Sequence, residues 1–206
     1  MDSSKLNLNK SNYAVASWFV YKNILSFFMK VLGTGVQHAK VVSGFDLEIV
    51  VVSKNLYPVI LFLHKHSLCQ FKTMIDIACY DTPGKKNRFC LSYNLLSIKY
   101  NTRINVVSKV TEFSQVLSLI SLYKSVGWSE REIFDFFGLF FFENNDLRRI
   151  LTDYGFRGFP LRKDFPLTGY VDSFYDDNQK RVCYRSLELS QEYRNFNFKS
   201  NWRFNT

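Results

Sequence analysis

Three runs rich in β-branched, aromatic and aliphatic residues follow one another closely: Thr73–Asp81, Arg88–Leu96 and Arg103–Val110. The links between them are too short for a crossover helix, which needs about a dozen residues or more, so neighbouring runs must pair antiparallel. The first link, Thr82-Pro83-Gly84-Lys85-Lys86-Asn87, carries strong turn chemistry. The second, Lys99-Tyr100-Asn101-Thr102, suits a hairpin connection. Around this meander the sequence predicts a further strand over Asp46–Ser53 and a helix over 55–66, with Asn55 as its cap and Pro58 in its first turn. A helix over Thr111–Lys124 would place Phe113, Val116, Leu117, Ile120 and Tyr123 on one face. The expected fold is α+β: an antiparallel β-sheet with helices on one face.

The ends of the chain read differently. Residues 1–12 are a polar tail, and residues 13–32 form an amphipathic helix with Trp18, Tyr21, Leu25, Phe28 and Leu32 at helical spacing. The α+β domain spans 33–142. Its last helix is expected to start at Ser129 as N-cap, with Glu132 completing a capping box and Glu130 at the positive helix end. Arg131 supplies an ion pair with its neighbouring acids, Asp135 reads as a structural, solvated acid rather than part of an acid–base set, and Gly138 ends the helix. Residues 143–206 form an extended segment. Asp146–Leu151 suggests one helical turn, and Val171–Tyr175 with Arg181–Leu187 suggests a small β-hairpin. Between them, residues 154–170 hold three glycines and two prolines with no period. A stretch that long usually has a job or a partner. The expectation is that 143–206 wraps another protein.

Composition narrows the function classes. Phe occurs 21 times, and 17% of residues are aromatic. A hydrophobic fraction of 47% excludes a disordered chain. No run reaches ~18 uninterrupted apolar residues, so no membrane-spanning helix is expected. The net charge of +9 is spread along the chain rather than clustered, which argues against a nucleic-acid footprint. An RNA-binding or mitochondrial ribosomal protein stands as the alternative reading. The cysteines, Cys69, Cys79, Cys90 and Cys183, lack C-x-x-C spacing and read as reduced thiols. His64, His66 and Cys69 spread over different helix faces and make a poor metal site. No nucleotide-binding glycine motif or nucleophile–base pair stands out, so no catalytic, cofactor-binding or metal-binding residue is expected. The start of the chain lacks an apolar secretory signal, and no Arg precedes Arg88, which points away from an imported product.

The densest ionic stretch runs from Asp146 to Leu167 and alternates charged residues with Leu, Ile and Phe. Arginine forks suit desolvated contacts with carboxylates. The residues expected to meet a partner are Arg148, Arg149, Asp153, Tyr154, Phe156, Arg162, Lys163, Asp164, Phe165 and Tyr170.

The run Glu130-Arg131-Glu132-x-x-Asp135, then Gly138, then Arg148 to Phe156, resembles the signature of one family of NADH:ubiquinone oxidoreductase subunits, whose organelle-encoded form is called NADH dehydrogenase subunit 9. Leu161-Arg162-Lys163-Asp164-Phe165-Pro166-Leu167-x-Gly169-Tyr170 continues the likeness, and Tyr93-Asn94-Leu95-Leu96-Ser97 and Asn101-x-Arg103-Ile104 are similar too. Asn144 and Phe159 stand where the family commonly has His. The resemblance covers about residues 30–198. It implies a cofactor-free subunit of the peripheral arm of respiratory complex I, packed against the hydrogenase-like large subunit of the quinone module. FMN and iron–sulfur clusters would sit in neighbouring subunits. The place implied is the matrix side of the mitochondrial inner membrane.

Overall fold

A computed structural model describes residues 24–42, 47–189, 191, 192, 194 and 196. Trp18, Tyr21 and the polar tail lie outside the described residues. The chain divides into two compact units, residues 1–165 and 166–206.

In the first unit, helix α1 covers 24–32. Strands β1 (Val36–Val41) and β2 (Leu47–Val52) follow, then helix α2 (Leu56–Lys65). The meander is β3 (Thr73–Asp81), β4 (Phe89–Ser97) and β5 (Thr102–Val110). After it come a two-residue strand β6 (Val116–Leu117), helix α3 (Val126–Phe137) and a two-residue strand β7 (Phe141–Phe142). The main sheet has the order β1-β2-β5-β4-β3. The β3–β4 and β4–β5 pairs are antiparallel hairpins, as their short links require. β2 lies parallel to β5, because the chain leaves β2 through α2 and returns only after β3 and β4. This parallel pair and strand β1 are additions to the expected meander. β1 reads Val-Gln-His-Ala-Lys-Val, too polar to stand out, and it sits at the sheet edge where one side meets solvent.

The pleat decides the core. Alternate residues Leu47, Ile49 and Val51 of β2, Leu91, Tyr93 and Leu95 of β4, and Ile104 and Val106 of β5 are buried together. Leu56, Val59, Ile60 and Leu63 of α2 and Val126, Ile133 and Phe137 of α3 join the same cluster. Phe28 of α1 is buried in it, and Leu25 and Leu32 pack against it.

Several expected elements are corrected. No helix spans Thr111–Lys124: the segment is turns around β6, and Phe113 is 91% exposed. Ser114 Oγ accepts the Thr111 N–H, and such short side-chain bonds compete with helix formation. The last helix starts three residues before Ser129, which therefore lies inside it, and Ser125 is the N-cap residue without a side-chain bond. Glu132 is exposed on the helix and Glu130 is buried, so neither forms the capping box or first-turn charge. Asp146–Leu151 contains no helical turn. Asn55 does precede α2, with no side-chain cap bond, and Pro58 is in the first turn.

Gly138 ends α3 as expected, at φ +75°. A Cβ there would lie 2.6 Å from the Phe159 ring and 2.7 Å from Arg162 Nη2. Gly138→Ala should therefore lower the unfolding free energy by at least about 2 kcal/mol, since left-handed strain and a clash add. Urea unfolding of the full chain measures this; an unchanged midpoint would refute the close approach.

Candidate functional site: an ion-pinned loop along helix α3

Helix α3 carries three buried ionisable residues, Glu130, Arg131 and Asp135. Each fastens a different part of the chain. Asp135, fully buried, receives the backbone N–H of Ile150 (3.3 Å), Leu151 (2.8 Å) and Thr152 (2.9 Å) on Oδ2. Its Oδ1 accepts the Thr152 hydroxyl at 2.6 Å and the Arg149 guanidinium at 3.0 Å. Burial alone would push this carboxyl up. The bonds from Thr152, Leu151 and Arg149 outweigh it and hold the carboxyl down at about 2. Arg149 also donates to the Gly158 carbonyl at 2.9 Å and stacks over Phe156 and Phe159.

Glu130 is a different case. It is also fully buried, but among the described residues no cation bonds it: it accepts from Ser118 Oγ (2.6 Å), the Leu119 N–H (2.9 Å) and Asn144 Nδ2 (2.8 Å). Burial here wins over those bonds and raises its pKa. Arg131 donates to the Arg148 carbonyl at 3.2 Å and lies over the Trp128 ring. Together these side chains tie the residues after β6, Asn144 after β7 and the 148–152 segment to helix α3.

A second cluster closes the other end of the loop. Arg88 grips Asp81 bidentately, with both bonds at 2.8 Å, and reaches Asp164 at 3.1 Å. Asp81 also accepts the Lys163 N–H at 2.9 Å. The Arg88 hydrogen bond, above all, lowers the pKa of Asp81 despite its burial, and a separate bond from Arg88 lowers that of Asp164. Arg162 donates to the Phe137 carbonyl at the C-terminus of α3 (2.7 Å) and to Glu112. A cation there also meets the negative end of the helix.

The expected partner-facing residues thus divide. Arg149 and Arg162 are half-buried and bonded within their own unit, and Phe156 and Phe165 rings lie 6.0 Å apart. Lys163 contributes its backbone N–H, and Asp164 pairs with Arg88. Arg148 stays exposed beside Asp146, Asp153 accepts the Tyr154 N–H, and Tyr154 is fully exposed. Tyr170 belongs to the second unit and is 64% exposed. The sequence reading missed Asp81, Arg88, Glu112 and Thr152 as anchors. For the first two a signal existed: opposite charges flank the Thr82–Asn87 turn, where hairpin strands bring them together.

The arrangement positions main chain rather than reacting groups. Among the described residues no group of three His, Cys, Asp or Glu could hold a metal, and no helix is long and apolar enough to cross a membrane. His66 Nδ1 lies 3.6 Å from Cys69 Sγ. Fold and loop define an α+β scaffold domain whose ionic groups hold a long irregular segment in one shape. Residues 49–171 match the family model described as "Respiratory-chain NADH dehydrogenase, 30 Kd subunit". The protein belongs to this family of complex I subunits. It is 52% identical over 157 residues to the NADH-ubiquinone oxidoreductase subunit 9 of Reclinomonas americana, covering 76% of this chain and 77% of that one. It is 51% identical over 152 residues to the NADH-ubiquinone oxidoreductase subunit 9 of Prototheca wickerhamii, covering 74% and 79%. The fold is similar to an Nqo5 fragment (TM-score 0.51, 20% identity, 59% of this chain and 97% of that one). It also resembles a chain of an archaeal membrane-bound sulfane sulfur reductase (TM-score 0.61, 22% identity, 71% and 85%).

The Asp135 geometry makes a pH prediction. Its carboxyl is held near 2 against an ordinary 3.8, so it binds protons less well in the folded state. The stability it contributes is complete above about pH 4 and is lost as pH falls through 2; linkage makes it about 2 kcal/mol. Asp135→Asn should unfold at lower urea than the native chain at pH 7, with the gap narrowing steadily below about pH 4. A gap that stays constant from pH 6 to 2.5 would mean that the charge on Asp135 is not what anchors the loop.

Proposed function

We propose that the protein is a structural, cofactor-free subunit of the peripheral arm of respiratory complex I. It supports the quinone-reducing module and packs against the hydrogenase-like large subunit there. In this reading NADH oxidation, electron transfer through FMN and iron–sulfur clusters, and coupled proton pumping belong to the assembly, while this chain holds no catalytic residue. The place of work is the matrix side of the mitochondrial inner membrane, and the protein is organelle-encoded.

One observation carries this reading beyond family membership. In the loop from 147 to 165, Arg149 turns inward to Asp135 and Arg162 to the end of α3, while Leu151, Tyr154 and Leu161 are exposed at 58%, 101% and 51%. A segment with fixed shape and outward apolar side chains suits docking, because little ordering entropy remains to be lost on binding. Arg149 and Arg162 need no new partner.

The tagged full-length protein should co-migrate with NADH dehydrogenase activity on a native gel of mitochondrial membranes. Recovery with ribosomes instead would overturn the proposal and favour the RNA-binding alternative, which also requires RNA affinity that falls steeply with salt.

A further inference from the structure

The three bonds to the buried Glu130 carboxyl come from neutral groups. Ser118 Oγ and Asn144 Nδ2 donate to Oε2, at 2.6 and 2.8 Å, and the Leu119 N–H donates to Oε1 at 2.9 Å. Arg131, the next residue on the helix, is turned to the Arg148 carbonyl and toward Asp146. From the sheet, Tyr93 of β4 lies within reach of a charge on Glu130. Tyr93 is fully buried, and its hydroxyl has no partner among the described residues. Cys79 of β3 lies near Tyr93 in turn. Burial raises the pKa of both, so both are neutral near pH 7 and offset no charge on Glu130. Glu143 and Asp146, which flank the segment of Asn144, are exposed acids and add only like charge.

We propose that Glu130 is a buried proton-binding site: the folded protein holds a proton on this carboxyl group and releases it to solvent as pH rises, while Ser118 Oγ accepts the acid O–H when the proton is on. The geometry accommodates both forms. Ser118 Oγ already accepts the Ile120 N–H at 3.2 Å, and a hydroxyl oxygen has two lone pairs, so it can accept a second donor. The Leu119 N–H keeps its carboxyl oxygen in either form. Asn144, bonded to Oε2, is only half-buried, so a single side chain separates the site from water. An ionised carboxyl in this place is supported by three neutral donors, which do not outweigh its desolvation.

The consequence is a pH limit opposite in sign to that of Asp135. A carboxyl whose pKa is raised on folding binds its proton more tightly in the folded state. The stability it contributes is complete below its ordinary value of 4.5 and is lost as pH rises through the folded value. Asp135 loses its contribution as pH falls, and Glu130 as pH rises. The two acids of α3 thus confine this face of the domain to a window of pH.

Urea unfolding of the full-length protein across pH 4.5 to 9 tests the site, with Glu130→Gln as the neutral reference. The native folding equilibrium constant should fall relative to that of Glu130→Gln by at most about ten-fold per pH unit from 4.5 up to the folded pKa, then run parallel to it. A ratio that is constant, or that rises with pH, would overturn the proposal. Carbon-13 NMR of labelled glutamate carboxyls in the native full-length protein gives a second readout that needs no variant. One carboxyl should titrate above all the others; titration of every glutamate in the ordinary range would overturn the proposal. Ser118→Ala removes a donor to the ionised form and should move that carboxyl's midpoint further up, whereas Asn144→Lys supplies a cation and should move it down. Midpoints unmoved by both substitutions would show that the proton is held elsewhere.

Discussion

Asp135 Oδ2 accepts three consecutive main-chain N–H groups, from Ile150, Leu151 and Thr152, at a fully buried position. Consecutive N–H groups aimed at one oxygen form an anion-binding concavity like that at a helix start, but here the anion belongs to the protein. The consequence is structural economy. A segment with no ladder of its own has its backbone donors satisfied by a side chain from a rigid helix, so it needs neither strand nor helix to stay in place. Removing one side of such a buried set leaves the other uncompensated, at a cost of about 3–5 kcal/mol where a charge is stranded. The path of residues 149–165 therefore depends on this carboxylate more than on any apolar contact. Further along the same path Arg162 bonds the end of α3 and the Lys163 N–H bonds Asp81.

The two buried carboxylates of α3 show how partners divide similar groups. Asp135 has a cation and four N–H or O–H donors, and stays ionised. Glu130, five residues earlier, has three neutral donors and, among the described residues, no cation bonded to it, and burial raises its pKa. Both act as clips. One is stabilised by its charge. The other is held by geometry that works for a neutral or a charged acid, since Ser118 can turn its hydroxyl to accept.

The sheet and α2 were legible because their signals are local. Period-2 burial, a Pro-Gly turn and a first-turn proline each act within a few residues, and β3 begins and ends where its pattern says. Helix 111–124 failed for a reason no window of that length contains. Its spacing fits a helix, but Val116 and Leu117 pair with Phe141 and Phe142, and Glu130 takes the Leu119 N–H from eleven residues on. The Ser129–Glu132 box failed similarly. Its residues match the pattern, yet the Tyr123 carbonyl accepts the Val126 N–H and Val126 is buried, so the helix begins earlier. Gly127 lies in the first turn against Ile120, where a Cβ would sit 3.0 Å from Cδ1. The family motif was visible as text, but which of its charges point inward follows only from the register that the sheet imposes.

The abundance of phenylalanine acquires a physical use in the loop. Arg149 lies over Phe156 and Phe159, while Arg162 lies over Phe159 and Phe89. Arg88 is also over Phe89. A guanidinium can stack on a ring and bond a carboxylate in its own plane at the same time, which an ammonium cannot do. The aromatic residues of the loop thus let its arginines be half-buried without isolated charge. Arg149 and Arg162 are thus already paired within the chain, while Leu151, Tyr154 and Leu161 remain exposed. Burying charge across an interface is the term most able to cancel the gain from apolar contact. In the proposed docking, Arg149 and Arg162 would be left out of that cost, because their charges are already paired within the chain.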